Sequence, residues 1–448
     1  MLPNKLKVIE QIKQISEHLE MYLPLANVHM VDYFTKQVFF EYTPKNIREE
    51  ASNYGYKNII EAIYSQETDI FPCINQYIEK SQEFTLKNTK LCMSFDQFKE
   101  TLQTLGCNEI TSLKLDIFMN AKKSHEVEIL SGIAAAIKTL SKTSHLIDIG
   151  DGKGYLSSML ALHHKIPVLG VDASEINTNG AVDRANKLSK VWNGVVSDVK
   201  TRETSISFYK QVTKFVDEKV NFAELIENIF LQKSNRLGLV GLHTCGNLTP
   251  SCLKIFKASD EIKSICNVGC CYHHLTEEGQ LGFPLSEFLK KQNYVIGRNA
   301  RMIAAQSIER ILHKKERPSR AMFYRALFQI IIETNSRKDE LKNKQVGRFR
   351  KESPNFLDYV KKASKRINMN LELSDDDIRD LYSQYEHRID EMDLFYLIRA
   401  MLAPVVESLI LLDRLLFLYE NSFKNSFLVQ LFDPVVSPRC YCIVSIKN

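Results

Sequence analysis

Three glycines at alternate positions, in Asp148-Ile-Gly-Asp-Gly-Lys-Gly154, are the residues of this chain best suited to embracing a ligand. Lacking Cβ atoms, Gly150, Gly152 and Gly154 let the backbone turn sharply and come close to a bound molecule. The run follows an apolar stretch, His145–Ile149, and opens onto helical spacing from Tyr155. The unpaired N–H groups of a helix start then face whatever the loop holds. Asp148 and Asp151 bring carboxylates to this turn. Asp172 closes the next apolar run, Val168-Leu-Gly-Val-Asp, about 20 residues after the glycines, where an acid is placed for ribose hydroxyls. The spacing departs from G-x-G-x-x-G, which argues against a dinucleotide. A glycine-rich turn without a ligand is the plainer alternative; strand, loop, helix and second acid falling in order favour the ligand.

A second group of reactive residues lies farther on, in Gly241-Leu-His-Thr-Cys-Gly-Asn-Leu248 and Asn267-Val-Gly-Cys-Cys-Tyr-His-His274. Each follows an apolar run, Leu237–Leu242 and Ile262–Val268. Ligands of open parallel sheets bind outside the carboxyl ends of the strands, so His243, Cys245, Cys270, Cys271 and Tyr272 are expected on one rim. A thiolate there could add to a pyrimidine ring and activate it. His243 could accept a proton from a hydroxyl or amine, and Tyr272 could stack on a base. Each has a structural alternative: a cysteine after a strand often serves as a small buried hydrophobe, a histidine as a hydrogen-bonding post, a tyrosine as a cap on the core. For metal, Cys266-x3-Cys270 with His274 offers three donors, with Cys271 and His273 beside them. No second spaced pair follows, so no metal site is expected.

The elements that must position these residues are short apolar runs alternating with helical stretches from His145 onward, which imply a parallel sheet covered by helices. Ser205–Tyr209 is the weakest strand, with a helical insertion, Val212–Lys233, after it. Phe427–Phe432 and Cys440–Ile446, linked through Asp-Pro and Ser-Pro, suggest an antiparallel pair ending the sheet. Seven strands are expected. Residues 1–120 read as a separate helical domain, with Leu6, Ile9, Ile12 and Ile15 at helical spacing and no convincing strand alternation. Residues 121–448 follow as an α/β domain with helical insertions near 210–235 and 285–394; its first helix, around Ser124–Ser141, carries Ile129, Ile133 and Ile137. Arg337–Ser353 is dense in charge and reads as a surface loop.

Composition sets the outer limits. In 448 residues, 44% are hydrophobic and 25% charged, which excludes intrinsic disorder and collagen-like repetition. Fifty-nine Lys and Arg oppose fifty-four Asp and Glu, a net charge of +5 that permits a nucleic-acid partner only where the charge clusters. It clusters from Arg298 through Arg301, Arg310, Lys314, Lys315, Arg317 and Arg320 to Arg325, with Phe323 and Tyr324 among the cations. That is the footprint of an RNA backbone site, or else a solvated face. Ten cysteines beside apolar runs suit free thiols in a reducing compartment, cytoplasmic or nuclear, without disulfides. No secretory signal is read at the N-terminus. Phe395–Leu418 is apolar enough to suggest a membrane span, but Arg399, Glu407, Asp413 and Arg414 interrupt it. Each central charge costs roughly 2.5–3.5 kcal/mol on insertion, so a helix lying against the sheet is expected instead. Nothing in the sequence speaks to oligomeric state.

An acid opening D-x-G-x-G-x-G, with a further acid after the second strand, is the pattern of class I S-adenosylmethionine-dependent methyltransferases. More of the chain resembles one group of them. His145-Leu-Ile-Asp-Ile-Gly-Asp-Gly-Lys-Gly, Leu-His-Thr-Cys-Gly-Asn-Leu, Gly-Cys-Cys-Tyr and the tail Leu402-Ala-Pro-Val-Val-Glu…Leu-Leu-Asp-Arg-Leu…Phe432-Asp-Pro-Val-Val-Ser-Pro-Arg439 are similar to the methyltransferase-like protein 25 family, which includes proteins named for an rRNA adenine dimethylase domain. The resemblance runs from about Ala121, through Lys122-Lys-Ser-His-Glu126, to the C-terminus. It implies a Rossmann-like sheet. It also implies a methyltransferase holding the methionine part of S-adenosylmethionine at Asp148, Gly150, Asp151, Gly152 and Gly154, and its ribose at Asp172. A His-x-Cys-Gly motif paired with a later Cys-Cys-Tyr-His is similar, more distantly, to tRNA 2′-O-methyltransferases. Enzymes that methylate adenine amino groups carry Asn/Asp-Pro-Pro-Tyr/Phe after the fourth strand, where this chain has His243-Thr-Cys-Gly. RNA is the acceptor these features favour. A protein or small-molecule acceptor, or a binding scaffold without turnover, are the alternatives. Lys123 and Glu126 either reach toward the cofactor or lie on a solvated helix face.

Overall fold

The computed structural model describes residues 5–107, 109–115, 117–195, 208–341 and 344–447. Among them is one eight-stranded sheet: β1 (Met93–Ser94), β2 (His145–Ile149), β3 (Val168–Asp172), β4 (Tyr209–Thr213), β5 (Leu237–Cys245), β6 (Ile262–Cys270), β7 (Ser426–Gln430) and β8 (Tyr441–Ile446), in the order β1-β7-β8-β6-β5-β2-β3-β4. Strands β2 to β6 run parallel, and β8 lies antiparallel to both β6 and β7. Every residue of β2 is buried. A strand covered by helices on both faces has no solvent side, so His145 and Asp148 are buried with its apolar residues.

The chain climbs from β2 through β3 to β4 on one side, then returns to lay β5 on the other side of β2. That reversal makes a topological switch point above the carboxyl ends of β2 and β5, and it is in the crevice at such a point that open α/β sheets bind ligands. The glycine turn leaves β2 there, and the helix Leu248–Ala258 starts there after β5. The helix Ala121–Leu140 is capped by Asn120, whose side chain accepts from Lys123 N at 2.8 Å. It buries Leu130, Ile133, Ala134 and Ile137 against the sheet's core, and Val127 in a second cluster with Met159 and Leu162. Ile129, expected on that face, is only partly buried.

Several sequence expectations are corrected. The fourth strand is Tyr209–Thr213, so Val212 belongs to the sheet and the inserted helix is shorter, Phe222–Phe230. Residues 205–207 of the expected strand lie outside the described residues. The eighth strand, β1, comes from the segment read as wholly helical. Only Met93 and Ser94 pair with Val429 and Gln430, too short a run for periodicity to register. The antiparallel pair is real, but β8 inserts between β6 and β7 instead of forming the edge.

The chain divides into two compact units, one of residues 1–18, 84–307 and 404–448, the other of residues 19–83 and 308–403. The helical segment 1–120 is thus shared between them. The first unit holds the sheet. The second is helical, with Tyr33 donating to Glu391 Oε1 at 3.0 Å and Tyr77 to the carbonyl of Ile398 at 2.9 Å inside its core. One apolar helical window within 375–420 is long enough to cross a bilayer, yet 89% of it is buried in the fold. Its last helix, Ala403–Glu420, buries the charges that sequence analysis noted: Asp413 accepts from Leu285 N at 2.7 Å and Ser286 N at 2.9 Å.

Candidate functional site

Gly150, Gly152 and Gly154 all adopt positive φ, at 76°, 59° and 67°. Gly154 needs more than that freedom. A Cβ there would lie 2.4 Å from the Tyr209 hydroxyl and 3.1 Å from Ala181 Cβ, so only hydrogen fits. Gly150 sits in the crevice, where its own Cβ would come within 3.3 Å of Leu248 on the far side. Gly150 N donates to Val171 O at 2.9 Å, tying the turn to the end of β3. Asp172 completes the tie: its carboxylate accepts from Gly152 N at 3.0 Å, Ser174 N at 2.8 Å and Asn177 Nδ2 at 3.1 Å. The second acid and the glycine turn are therefore tied together by three N–H donors to one carboxylate.

The other two acids divide. Asp148, 2% exposed, accepts from Ser157 Oγ at 2.9 Å through Oδ2, while its buried Oδ1 has no hydrogen-bond partner. Asp151 was expected beside the ligand, and its side chain instead turns down beneath the turn. It accepts from Ser157 Oγ at 2.7 Å and from the Tyr209 hydroxyl, and its Oδ2 lies 2.2 Å from where a Gly170 Cβ would be. Gly170 thus leaves room in β3 for a buried carboxylate. Ser157 has one proton for two carboxyl groups. Burial and the neighbouring Asp151 push the Asp148 pKa well above the carboxylate range, and burial raises that of Asp151 too.

At the end of β5 the ladder with β6 slips: Leu242 faces Val268 but Thr244 faces Gly269. His243 is the extra residue of this bulge, with φ 68°. Bulges re-aim side chains at sheet rims, and this one swings His243 Nε2 to within 2.9 Å of Glu126 Oε2. Glu126, from the helix Ala121–Leu140, is fully buried. It also accepts from Lys123 Nζ at 2.8 Å and Ser437 Oγ at 2.6 Å, with Lys122 Nζ at 3.5 Å. Burial alone would raise its pKa. The His243 hydrogen bond and the charges of His243 and Lys123 reverse that and hold the carboxyl far below its usual range. A solvated helix face is thereby ruled out for Glu126. The i,i+3 spacing of Lys123 and Glu126 was visible in the sequence; Ser437, 311 residues away, was not.

The thiols gather at the same rim. Cys245 Sγ lies 3.2 Å from Cys270 Sγ and 3.5 Å from Cys271 Sγ, and the last two are 3.7 Å apart. The Cys270 thiol, with help from Cys271 and the nearby His243 and His274 charges, pulls Cys245 down to about 6 against the opposing effect of burial. Cys270 and Cys271 are pushed up in turn. Cys245 is exposed, Cys271 half-buried and Cys270 buried, and none of the three is in a disulfide.

Two expectations fail here. Tyr272, 1% exposed, points inward, donating to Glu407 Oε1 at 2.8 Å with the Arg414 guanidinium 5.5 Å from its ring centre. It cannot stack on an acceptor. The basic segment 298–325 is also less free than its composition implied. Arg301 is buried, paired with Glu277 and donating to Leu275 O at 2.9 Å. Arg317 faces Glu61, Asp390 and Asp393, and Phe323 and Tyr324 are core residues. Arg298, Lys314, Lys315 and Arg320 are exposed.

Comparison with known proteins agrees with this architecture. A methyltransferase-domain family matches residues 122–278, which span β2 to β6 and both rim motifs. A mouse protein named "Probable methyltransferase-like protein 25" is 27% identical over 98% of this chain and 96% of its own length. The human protein of the same name is 28% identical over 98% of this chain and 97% of its own. Residues 122–278 therefore match a methyltransferase domain on a Rossmann-like sheet, and over 98% of its length the chain is similar to proteins named probable methyltransferase-like protein 25.

Proposed function

We propose that this protein transfers methyl groups from S-adenosylmethionine, with RNA as the acceptor. The observation that carries the cofactor reading is the pairing of Asp148 and Asp172 across the crevice's glycine turn. The residues fit the group. Asp148 Oδ1 is a buried acceptor without a partner, suited to the methionine ammonium. Asp172, at the end of β3, is suited to the ribose, and Gly150 keeps the space between β2 and Leu248 clear of a side chain. S-adenosylmethionine supplies an electrophilic methyl group on a sulfonium, and the protein's share is to orient the partners and take up the acceptor's proton. His243, held by Glu126, is the rim group placed for that proton, which makes Glu126 a positioning residue.

RNA is supported by the exposed cations Lys314, Lys315 and Arg320 of the helical unit. Phe323 and Tyr324 lend it nothing. Free thiols throughout suit the reducing interior of a cell.

Isothermal titration of the folded chain with S-adenosylmethionine is expected to show saturable binding. Asp148→Asn is expected to weaken it by more than tenfold, about 1.4 kcal/mol, while leaving the melting temperature equal or higher. The variant removes a carboxyl whose ionisation the fold opposes: with a raised pKa, Asp148 costs stability increasingly as pH rises above the ordinary carboxylate range. For the same reason cofactor affinity should rise with pH. No heat from well-folded wild-type protein would overturn the cofactor reading. Nucleoside mass spectrometry of cells lacking the protein tests the acceptor: loss of one methylated nucleoside supports RNA, and an unchanged nucleoside profile with loss of a methylated protein side chain or metabolite replaces it.

A further inference from the structure

We propose that Cys245, Cys270 and Cys271 form a thiolate site for a zinc ion on the rim between β5 and β6. The sequence alone offered a different set, built on Cys266 and Cys270. In the structure Cys266 turns into the core, where its sulfur lies 3.6 Å from that of Cys442, and Cys245 takes its place. The parallel register sets Cys245 directly opposite Cys270. Cys271 follows in a left-handed turn, φ 52°, which brings its sulfur back to the other two. Left-handed backbone at a non-glycine residue costs on the order of 1 kcal/mol or more, and bonds from the thiolate to an ion would offset that strain.

The triangle has the right size. Zinc–sulfur bonds of about 2.3 Å in tetrahedral geometry place thiolates about 3.8 Å apart. The three sulfurs, separated by 3.2, 3.5 and 3.7 Å, need open only slightly to reach that spacing. Among the described residues these are the one group of three ligating side chains whose donor atoms converge in this way. Cys245 comes from the first rim motif and Cys270 and Cys271 from the second, so an ion would pin the two loops together. Gly246, between them, is packed so closely on His274 that its Cβ would lie 2.6 Å from that of the histidine.

Soft thiolate donors select zinc over magnesium or calcium. Three protein ligands leave a fourth position, as in sites where zinc holds an exchangeable ligand. Binding would release the remaining thiol protons to solvent. None of this depends on the cofactor reading, because no residue of the glycine turn takes part.

The test uses the full chain purified in reductant without chelator. Metal analysis is expected to find about one zinc per chain. Cobalt replacing it should give the thiolate-to-metal charge-transfer band and the visible spectrum of a tetrahedral ion. Cys245→Ser and Cys271→Ser should each weaken the metal more than about tenfold with an unchanged far-ultraviolet circular dichroism spectrum. Cys73→Ser, in the helical unit, should bind as the wild type does. Zinc should also protect the three thiols from alkylation. A metal-free protein giving no charge-transfer band, a Cys245–Cys270 disulfide, or full zinc content in both rim variants would overturn the proposal. Titration with S-adenosylmethionine on the same samples keeps failure here distinct from failure of the cofactor reading.

Discussion

The two halves of the candidate site are built on opposite plans. Above β2 and β3, the ligand-facing groups are fastened by near neighbours: Asp172 to Gly152, Ser174 and Asn177, and Asp148 to Ser157. Above β5 and β6, the fastening is remote. His243 is held by Glu126, 117 residues earlier, and Glu126 by Ser437, 311 residues later. A short motif can specify the first arrangement by itself, since glycine freedom and one capping acid decide the backbone. The second exists only once distant segments have packed. Its residues are therefore more exposed to failure of the fold, and their roles are harder to infer from spacing.

Glu126→Gln is the largest single break available to the remote half. A fully buried carboxylate would be lost from between Lys123, His243 and Ser437, leaving two cationic or polar groups without their acceptor. Removing one partner of a buried pair costs about 3–5 kcal/mol. The Lys123 and His243 side chains retain about a quarter of their exposure, so about 2–3 kcal/mol is expected by denaturant unfolding. The pH dependence is a sharper signature. Because the Glu126 pKa is depressed in the fold, its contribution is complete above its ordinary value near 4.3 and fades as pH falls toward the folded value. The gap between wild type and variant should accordingly narrow in acid. A gap constant from pH 7 to pH 3 would show that Glu126 acts through shape alone.

The local half is broken by bulk. Gly154→Ala places a methyl group against the Tyr209 hydroxyl and forces a left-handed backbone on a residue that resists it. Strain of about 1–3 kcal/mol is expected, with loss of S-adenosylmethionine binding out of proportion to the loss of stability. Were stability to fall and binding to persist, the turn would be a structural joint and no cradle.

The same contrast decides what is legible in the sequence. Glycine spacing located the turn to the residue, and alternating apolar runs located β2, β3, β5 and β6, because buried parallel strands must be continuously apolar. The two-residue β1 and the placement of β8 between β6 and β7 depend on pairing partners more than 300 and 170 residues away, which local pattern does not encode. Side-chain direction was the other gap. Asp151 and Tyr272 are of the right types in the right motifs, yet each points into the protein, since a polar group under a turn or behind a strand end can be satisfied by a buried partner. The apolar company of Ser157, in Tyr-Leu-Ser-Ser-Met-Leu-Ala-Leu, was the one visible hint that such partners existed.

Tyr272 supplies the finest test of that last distinction. It stands beside Cys271 in sequence, and a role on the rim would predict that removing its hydroxyl spares stability while removing the ring weakens acceptor binding. Its burial against Glu407 and Arg414 predicts the reverse order of effects. Tyr272→Phe deletes the donor to Glu407 Oε1, a buried hydrogen bond on a residue 7% exposed. About 1–2 kcal/mol should be lost in chemical denaturation. The affinity for S-adenosylmethionine and the zinc content should stay as in the wild type, because the ring still fills its space and neither the glycine turn nor the three sulfurs touch the hydroxyl. A variant of unchanged stability would return Tyr272 to the rim, and with it the sequence-based expectation that a single strand-end motif carries the whole acceptor side.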